Sequence, residues 1–177
     1  MADLDTRCLD AFPDYLRSLA EDAVALSAVV SDGAALEGVR RNAACALNYL
    51  FKSLDLIPDG IEDLGFMDDA FVFRVAAASA GAGDGTPAVV ARLAKQAELV
   101  REFLGADYER LERFVGGLKS GSARGRSVDD ILGNASVRGE LVSDVKGWAG
   151  SYVVPSFARD KKNLVKLRSF LAAKLPV

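Results

Sequence analysis

Histidine is missing from all 177 positions. Its absence excludes His-containing catalytic triads, histidine general bases, mixed Cys/His zinc sites and histidine pH switches. Cysteine is nearly absent: Cys8 and Cys45 alone cannot complete a four-cysteine zinc site. Both lie among apolar residues and read as buried and reduced, and the sequence leaves a Cys8–Cys45 disulfide open. No stretch reaches the 18 or more apolar residues of a spanning helix. The longest candidate, Ala70 to Ala82, is short and interrupted by Arg74. The first residues, MADLDTRCLD, lack the basic and apolar regions of a secretory signal, so a cytoplasmic protein is expected. Charge of one sign is also lacking. The net charge of −3 speaks against nucleic-acid binding driven by whole-chain charge, and no nucleic-acid partner is expected. Long β-branched runs and sustained period-2 alternation are missing too, which leaves little for a sheet.

What is present is alanine, leucine and helical periodicity. Half the residues are apolar and 27% are charged, a globular composition, and 18.8 kDa suits one domain over 1–177. The pattern predicts an all-α bundle of six to eight helices. The first runs from Asp14 to Val30 with Pro13 near its start, and the second from Ala34 to Leu54. A third starts near Met67–Asp69 and ends about Ala80. Thr86 and Pro87 read as N-cap and first residue of a helix that continues from Ala88 to Leu118, with Gly105 as a bend or split. Residues 116–127, rich in glycine and serine, read as a flexible connector carrying Lys119, Arg124 and Arg126. A C-terminal segment, 128–177, then packs back on the bundle. It opens on Ser127-x-x-Asp130, a variant of the capping box. Short helices follow at Val128–Leu132 and Val137–Ala149, and a last one at about Phe157–Leu175. Trp148 and Tyr152, four residues apart, form an aromatic patch read as core.

One stretch departs from this background. Between Lys52 and Asp69 stand six acids (Asp55, Asp59, Glu62, Asp63, Asp68 and Asp69) and one base, Lys52, a local net charge of −5. The same stretch holds Leu54, Leu56, Ile57, Ile61, Leu64, Phe66 and Met67, too many large apolar side chains for a solvated loop. Pro58 breaks the helix and Asp59-Gly60 supplies a turn. An acidic elbow results, apolar side inward.

The pattern Tyr-Leu-x4-Asp-Leu-Ile-Pro-Asp-x-Ile-x3-Gly-x2-Asp-Asp resembles the YkvA-like domain, a bacterial helical domain of unknown function. It is carried by Tyr49, Leu50, Asp55, Leu56, Ile57, Pro58, Asp59, Ile61, Gly65, Asp68 and Asp69. Ser53 and Glu62 stand where the resemblance would lead one to expect prolines, and Gly60 where it would lead one to expect a bulky apolar residue. The resemblance implies a compact helical hairpin over 43–80 and no established reaction. Some members look membrane-associated.

Asp55, Asp59, Asp68 and Asp69 admit three uses. Clustered carboxylates are ligands for a hard divalent cation such as Mg²⁺ or Ca²⁺. They also serve as helix caps, and Asp68 and Asp69 fall where an N-cap and first turn are expected. They can face a basic partner. An EF-hand is excluded, because Ile57 and Phe66 occupy ligand positions. Adjacent Asp68 and Asp69 point about 100° apart on a helix and make no obvious catalytic dyad. Arg40, Arg41 and Arg74 are near enough in sequence to neutralise some of these acids.

Residues 1–22 carry a net −4 and residues 156–177 a net +5. The last helix is basic and amphipathic, with Lys161, Lys162, Lys166 and Arg168 on a surface for a membrane or a partner, or else solvated above a stripe packed on the body. The leading expectation is a non-catalytic interaction or scaffold module that holds a protein partner at the elbow and needs no cofactor. The alternatives are a divalent-metal enzyme centred on the four aspartates and a peripheral membrane protein attached through the last helix.

Overall fold

The computed structural model describes residues 2–53, 55–81 and 83–177; Leu54 and Ala82, which the sequence places in the second helix and at the end of an apolar run, lie outside them. Among the described residues there are eight α-helices and one hairpin of two-residue strands. The all-α class read from the sequence is the class observed.

Helix α1 spans Leu4–Ser31, ten residues longer at its start than expected, and encloses Pro13. Its cap is Asp3, whose carboxylate accepts from the Thr6 N–H at 2.8 Å. A proline inside a helix costs about 3 kcal/mol. Cys8 and Phe12, on the added turns, are fully buried; burying a phenylalanine alone returns about 1.5–3 kcal/mol, and the cysteine adds to it. The stripe therefore carries the helix through the proline.

Helix α2 spans Glu37–Leu50, shorter than expected at both ends. Helix α3, Met67–Ser79, is buried at every position from Met67 to Ala77. A helix buried on all sides belongs at the centre of a bundle, and α3 packs against α1, α2 and the two helices that follow. Those are α4, Ala88–Leu104, and α5, Asp107–Gly117. Gly105, at φ +57°, divides them in a backbone conformation that glycine adopts without penalty. Thr86 does not cap α4: its hydroxyl donates to Gly83 O at 2.7 Å, closing the preceding loop, and the N-cap is Pro87.

The 116–127 segment is not a featureless connector. It completes α5, makes a 3₁₀ turn over Leu118–Ser120, and folds into a hairpin of β1, Ser122–Ala123, and β2, Arg126–Ser127. Leu118, Ala123 and Arg126 are buried, and Asn48 Nδ2 donates to Arg126 O at 3.0 Å. Gly121 and Gly125 mark its turns.

Ser127 and Asp130 form a reciprocal capping box at the start of α6, Val128–Gly133, so aspartate serves where glutamate is usual. Helix α7 spans Ala135–Ser151 and α8 spans Lys161–Lys174, capped by Asp160 rather than starting near Phe157. Both α7 and α8 pack on α1, and α6 packs on α2. Buried residues from α1 to α8 form one core cluster.

Candidate functional site at the elbow

The elbow joins α2 to α3. Pro58 O accepts from Ile61 N, and Ile61 O accepts from Gly65 N at 2.9 Å, coiling the chain tightly. Asp63 and Phe66 both take φ +65°, which turns the chain sharply into α3. Gly65 makes this possible. A Cβ there would stand deep inside contact distance of Asp59 O, so only glycine lets the Asp59 backbone lie against the entrance to α3. Leu56, Ile57 and Leu64 are buried beneath, and Ile61 is half-buried against the core. Pro58 is exposed at the tip.

This folding draws Asp59, Asp68 and Asp69 together. One carboxylate oxygen from each lies within 4.8 Å of the others. Asp68 and Asp69 are 1% and 2% exposed, while Asp59 stands at the open rim. The two neighbours on α3, expected to diverge, both give an oxygen to this one cluster with Asp59. Asp55 is not in the trio but is half-buried beside it, with one buried oxygen lacking a hydrogen-bond partner.

Tyr49, at the end of α2, ties the site. Its hydroxyl donates to Asp68 Oδ2 at 2.6 Å and accepts from Leu56 N–H at 2.8 Å. Ile57 N–H also donates to Asp68 Oδ2, at 3.3 Å. Asp68 thus links α2, the elbow and α3 rather than capping a helix; the N-cap of α3 is Phe66, which makes no side-chain cap. Its other oxygen, Oδ1, and Asp69 Oδ2 are buried without a partner.

No cation in the described residues compensates these acids. Arg40 donates to Val30 O, Arg41 pairs with Glu37 and Asp129, and Arg74 faces Asp22 inside the bundle at 3.7 Å. Burial without counter-charge disfavours the ionised carboxylates. Burial, then the Asp68 and Asp59 charges, push Asp55 up to about 7. Burial pushes Asp68 up to about 6, against the hydrogen bonds from Tyr49 and Ile57. Asp69 stands well above the usual carboxylate range through burial and then the Asp68, Asp59 and Asp55 charges. Desolvation raises Asp59 as well.

One wall went unread in the sequence. Phe66, held at positive φ, packs on Trp148 and Tyr152 at 6.0 and 5.3 Å between ring centroids. Tyr152 is near enough to Asp69 and Asp59 that, after burial, their charges raise its hydroxyl. The i, i+4 aromatic pair at the end of α7 is visible in the sequence, but nothing local ties it to Phe66, far earlier in the chain.

In the described residues no basic side chain of α8 pairs with the acidic trio, although Lys166 reaches the elbow backbone. Arg168 stacks on Phe103, donates to its carbonyl at 3.0 Å and faces Asp5; Lys161 is 3.9 Å from Asp3; Lys166 reaches the Glu62 carbonyl at 3.4 Å. Lys162 is exposed. Leu164, Leu167, Leu171 and Leu175, the apolar stripe, are buried in the core. No helix among the described residues is long and apolar enough to cross a membrane.

Residues 42–74 match the model of a family described as a protein of unknown function, DUF1232, consistent with the YkvA-like resemblance. The match runs from within α2 through the whole elbow to Arg74 in α3, and includes every residue of the acidic trio, Asp55 and Tyr49. No curated protein and no solved structure matches the chain significantly.

Proposed function

We propose that the elbow binds a hard divalent cation, and that the chain is a helical module whose elbow that cation completes. Asp59, Asp68 and Asp69 supply the first ligands, and Asp55 a further carboxylate at the side. One observation carries this. Two aspartates buried to 1% and 2% exposure each keep an oxygen without a hydrogen-bond partner, and no side-chain cation in the described residues pairs with them. Buried charges without partners are costly. A cation with several oxygen ligands removes that cost, and Mg²⁺, Mn²⁺ and Ca²⁺ take such ligands at roughly 2.0–2.6 Å.

A docking face for a basic protein, the other use of these acids, has less support. Of the trio only Asp59 is exposed. A macromolecular partner would meet the rim and leave the buried pair uncompensated.

Mn²⁺ titrated into the protein, with free Mn²⁺ followed by electron paramagnetic resonance, tests the proposal. One saturable site is expected, lost in Asp69→Asn and weakened at least tenfold in Asp59→Asn. Failure to bind at millimolar Mn²⁺, or undiminished binding by Asp69→Asn, would overturn it.

A further inference from the structure

A second polar cleft, separate from the acidic trio, lies where the end of α2 faces the hairpin. It measures about 420 Å³ and is lined by Phe51, Lys52, Ser53, Ser122, Ala123 and Arg124. That is within the range of small-ligand sites. Its chemistry is opposite to that of the elbow. Lys52 is half-buried, its ammonium close to Gly121 of the turn before β1. Arg124 and Arg126 both lie over the Phe51 ring, at 4.5 and 5.8 Å from its centroid.

Among the described residues these three cations share one carboxylate. Asp144 accepts from Arg126 at 2.8 Å and stands 3.5 Å from Arg124. Two positive charges are left over. The Arg126 side chain is only 8% exposed, yet its Nε and Nη2 are buried without a partner. The Ser53 and Ser122 side chains also line the cleft. The backbone is also unusual. The two-residue turn Arg124-Gly125 has φ +51° and +75°, a geometry that favours Asn-Gly or Gly-Gly. Arg124 thus lines the cleft from a backbone conformation that costs a non-glycine residue free energy.

We infer that this cleft binds a phosphoryl group, as borne by a small phosphate ester. Lys52 and Arg124 supply charge, the two hydroxyls donate hydrogen bonds, and Arg126 sets the field behind Phe51. Arginine and lysine with hydroxyl donors are the groups that recognise phosphate. The inference does not depend on the elbow cation.

Inorganic phosphate, titrated into ¹⁵N-labelled protein in buffer freed of divalent cations, is the probe. Saturable shifts at residues 51–53 and 122–126 are expected. Loss of a charge-assisted hydrogen bond costs roughly tenfold or more in affinity. Lys52→Gln and Arg124→Gly should each weaken binding that much, and Arg159→Gln, a distant surface arginine, should leave it unchanged. Arg124→Gly relieves the positive φ, so its spectrum and melting midpoint should be kept; a loss of both would show that Arg124 serves the hairpin and overturn its assignment. Shifts scattered over the basic surface, or none into the tens of millimolar, would overturn the site. Anionic phosphatidylglycerol vesicles distinguish the source of the phosphate. Binding to vesicles that inorganic phosphate does not displace would also contradict the proposal.

Discussion

Gly65 and Tyr49 show how single residues build the elbow. Tyr49 is fully buried and joins a backbone amide of the elbow to a carboxylate of α3 through one hydroxyl. Gly65 is needed for close approach, not for a left-handed backbone, because the space where its Cβ would stand is taken by Asp59 O. Gly65→Ala should therefore push the Asp59 backbone away, at a cost of about 1–3 kcal/mol by analogy with other overpacking changes. Urea denaturation measures this cost, and a variant as stable as the parent would remove the close-approach account. Both residues stood out in the sequence as parts of a motif, yet their roles did not. A tyrosine's partner and a glycine's contact are tertiary facts, and the spacing records only that something is required there.

At the scale of elements, the interior was more legible than the joints. The apolar stripes identified the helices, and α3 lies within a residue or two of its expected bounds. Pro13 misplaced the start of α1, because the burial of Cys8 and Phe12 outweighs one lost hydrogen bond. Glycine and serine misrepresented residues 116–127, because turn composition and linker composition look alike until Arg126 is seen to be buried. The charge contrast between the two ends of the chain proved to be contact between α1 and α8, with Arg159 against Asp10, Lys161 near Asp3 and Arg168 near Asp5. Exposed pairs of this kind contribute about 0–1 kcal/mol, whereas truncating a buried leucine costs about 2–5 kcal/mol. Leu167→Ala should thus destabilise the fold by that larger amount and Arg159→Ala by less than about 1 kcal/mol. Comparable losses in the two variants, measured by chemical denaturation, would mean that charge and not the leucine stripe seats α8.

For the molecule as a whole, the elbow acids couple stability to pH in an unusual direction. Their folded-state affinities for protons are raised, with Asp55 at about 7 and Asp68 at about 6 against an ordinary value of 3.8. Between about pH 4 and 7 the cation-free native state keeps protons that the unfolded chain has released, so stability falls as pH rises through that window. The contribution is fully present below the ordinary value and is lost above the raised ones. Carboxylates such as Glu102, held low by Arg7, act oppositely and only at more acidic pH. A melting midpoint of the chelated protein that does not fall between pH 5 and 7.5 would contradict the uncompensated burial.

A cation competes with those protons, so its effect must be large where the acids are ionised and small where they are protonated. The sequence revealed the acids and their crowding; it did not reveal that two of them are buried, which turns a charged surface into a ligand set. The most direct measurement is the melting midpoint with and without Ca²⁺, Mg²⁺ or Mn²⁺, at pH 7.5 and pH 5, for the parent and Asp69→Asn. At 100 times its dissociation constant a cation adds about 2.7 kcal/mol, roughly 5–10 °C for a chain of this size. At least one cation should give that rise in the parent at pH 7.5, with much less at pH 5 and none in Asp69→Asn. No rise at pH 7.5 with any of the three, or an equal rise in Asp69→Asn, would show that the elbow is not a cation site.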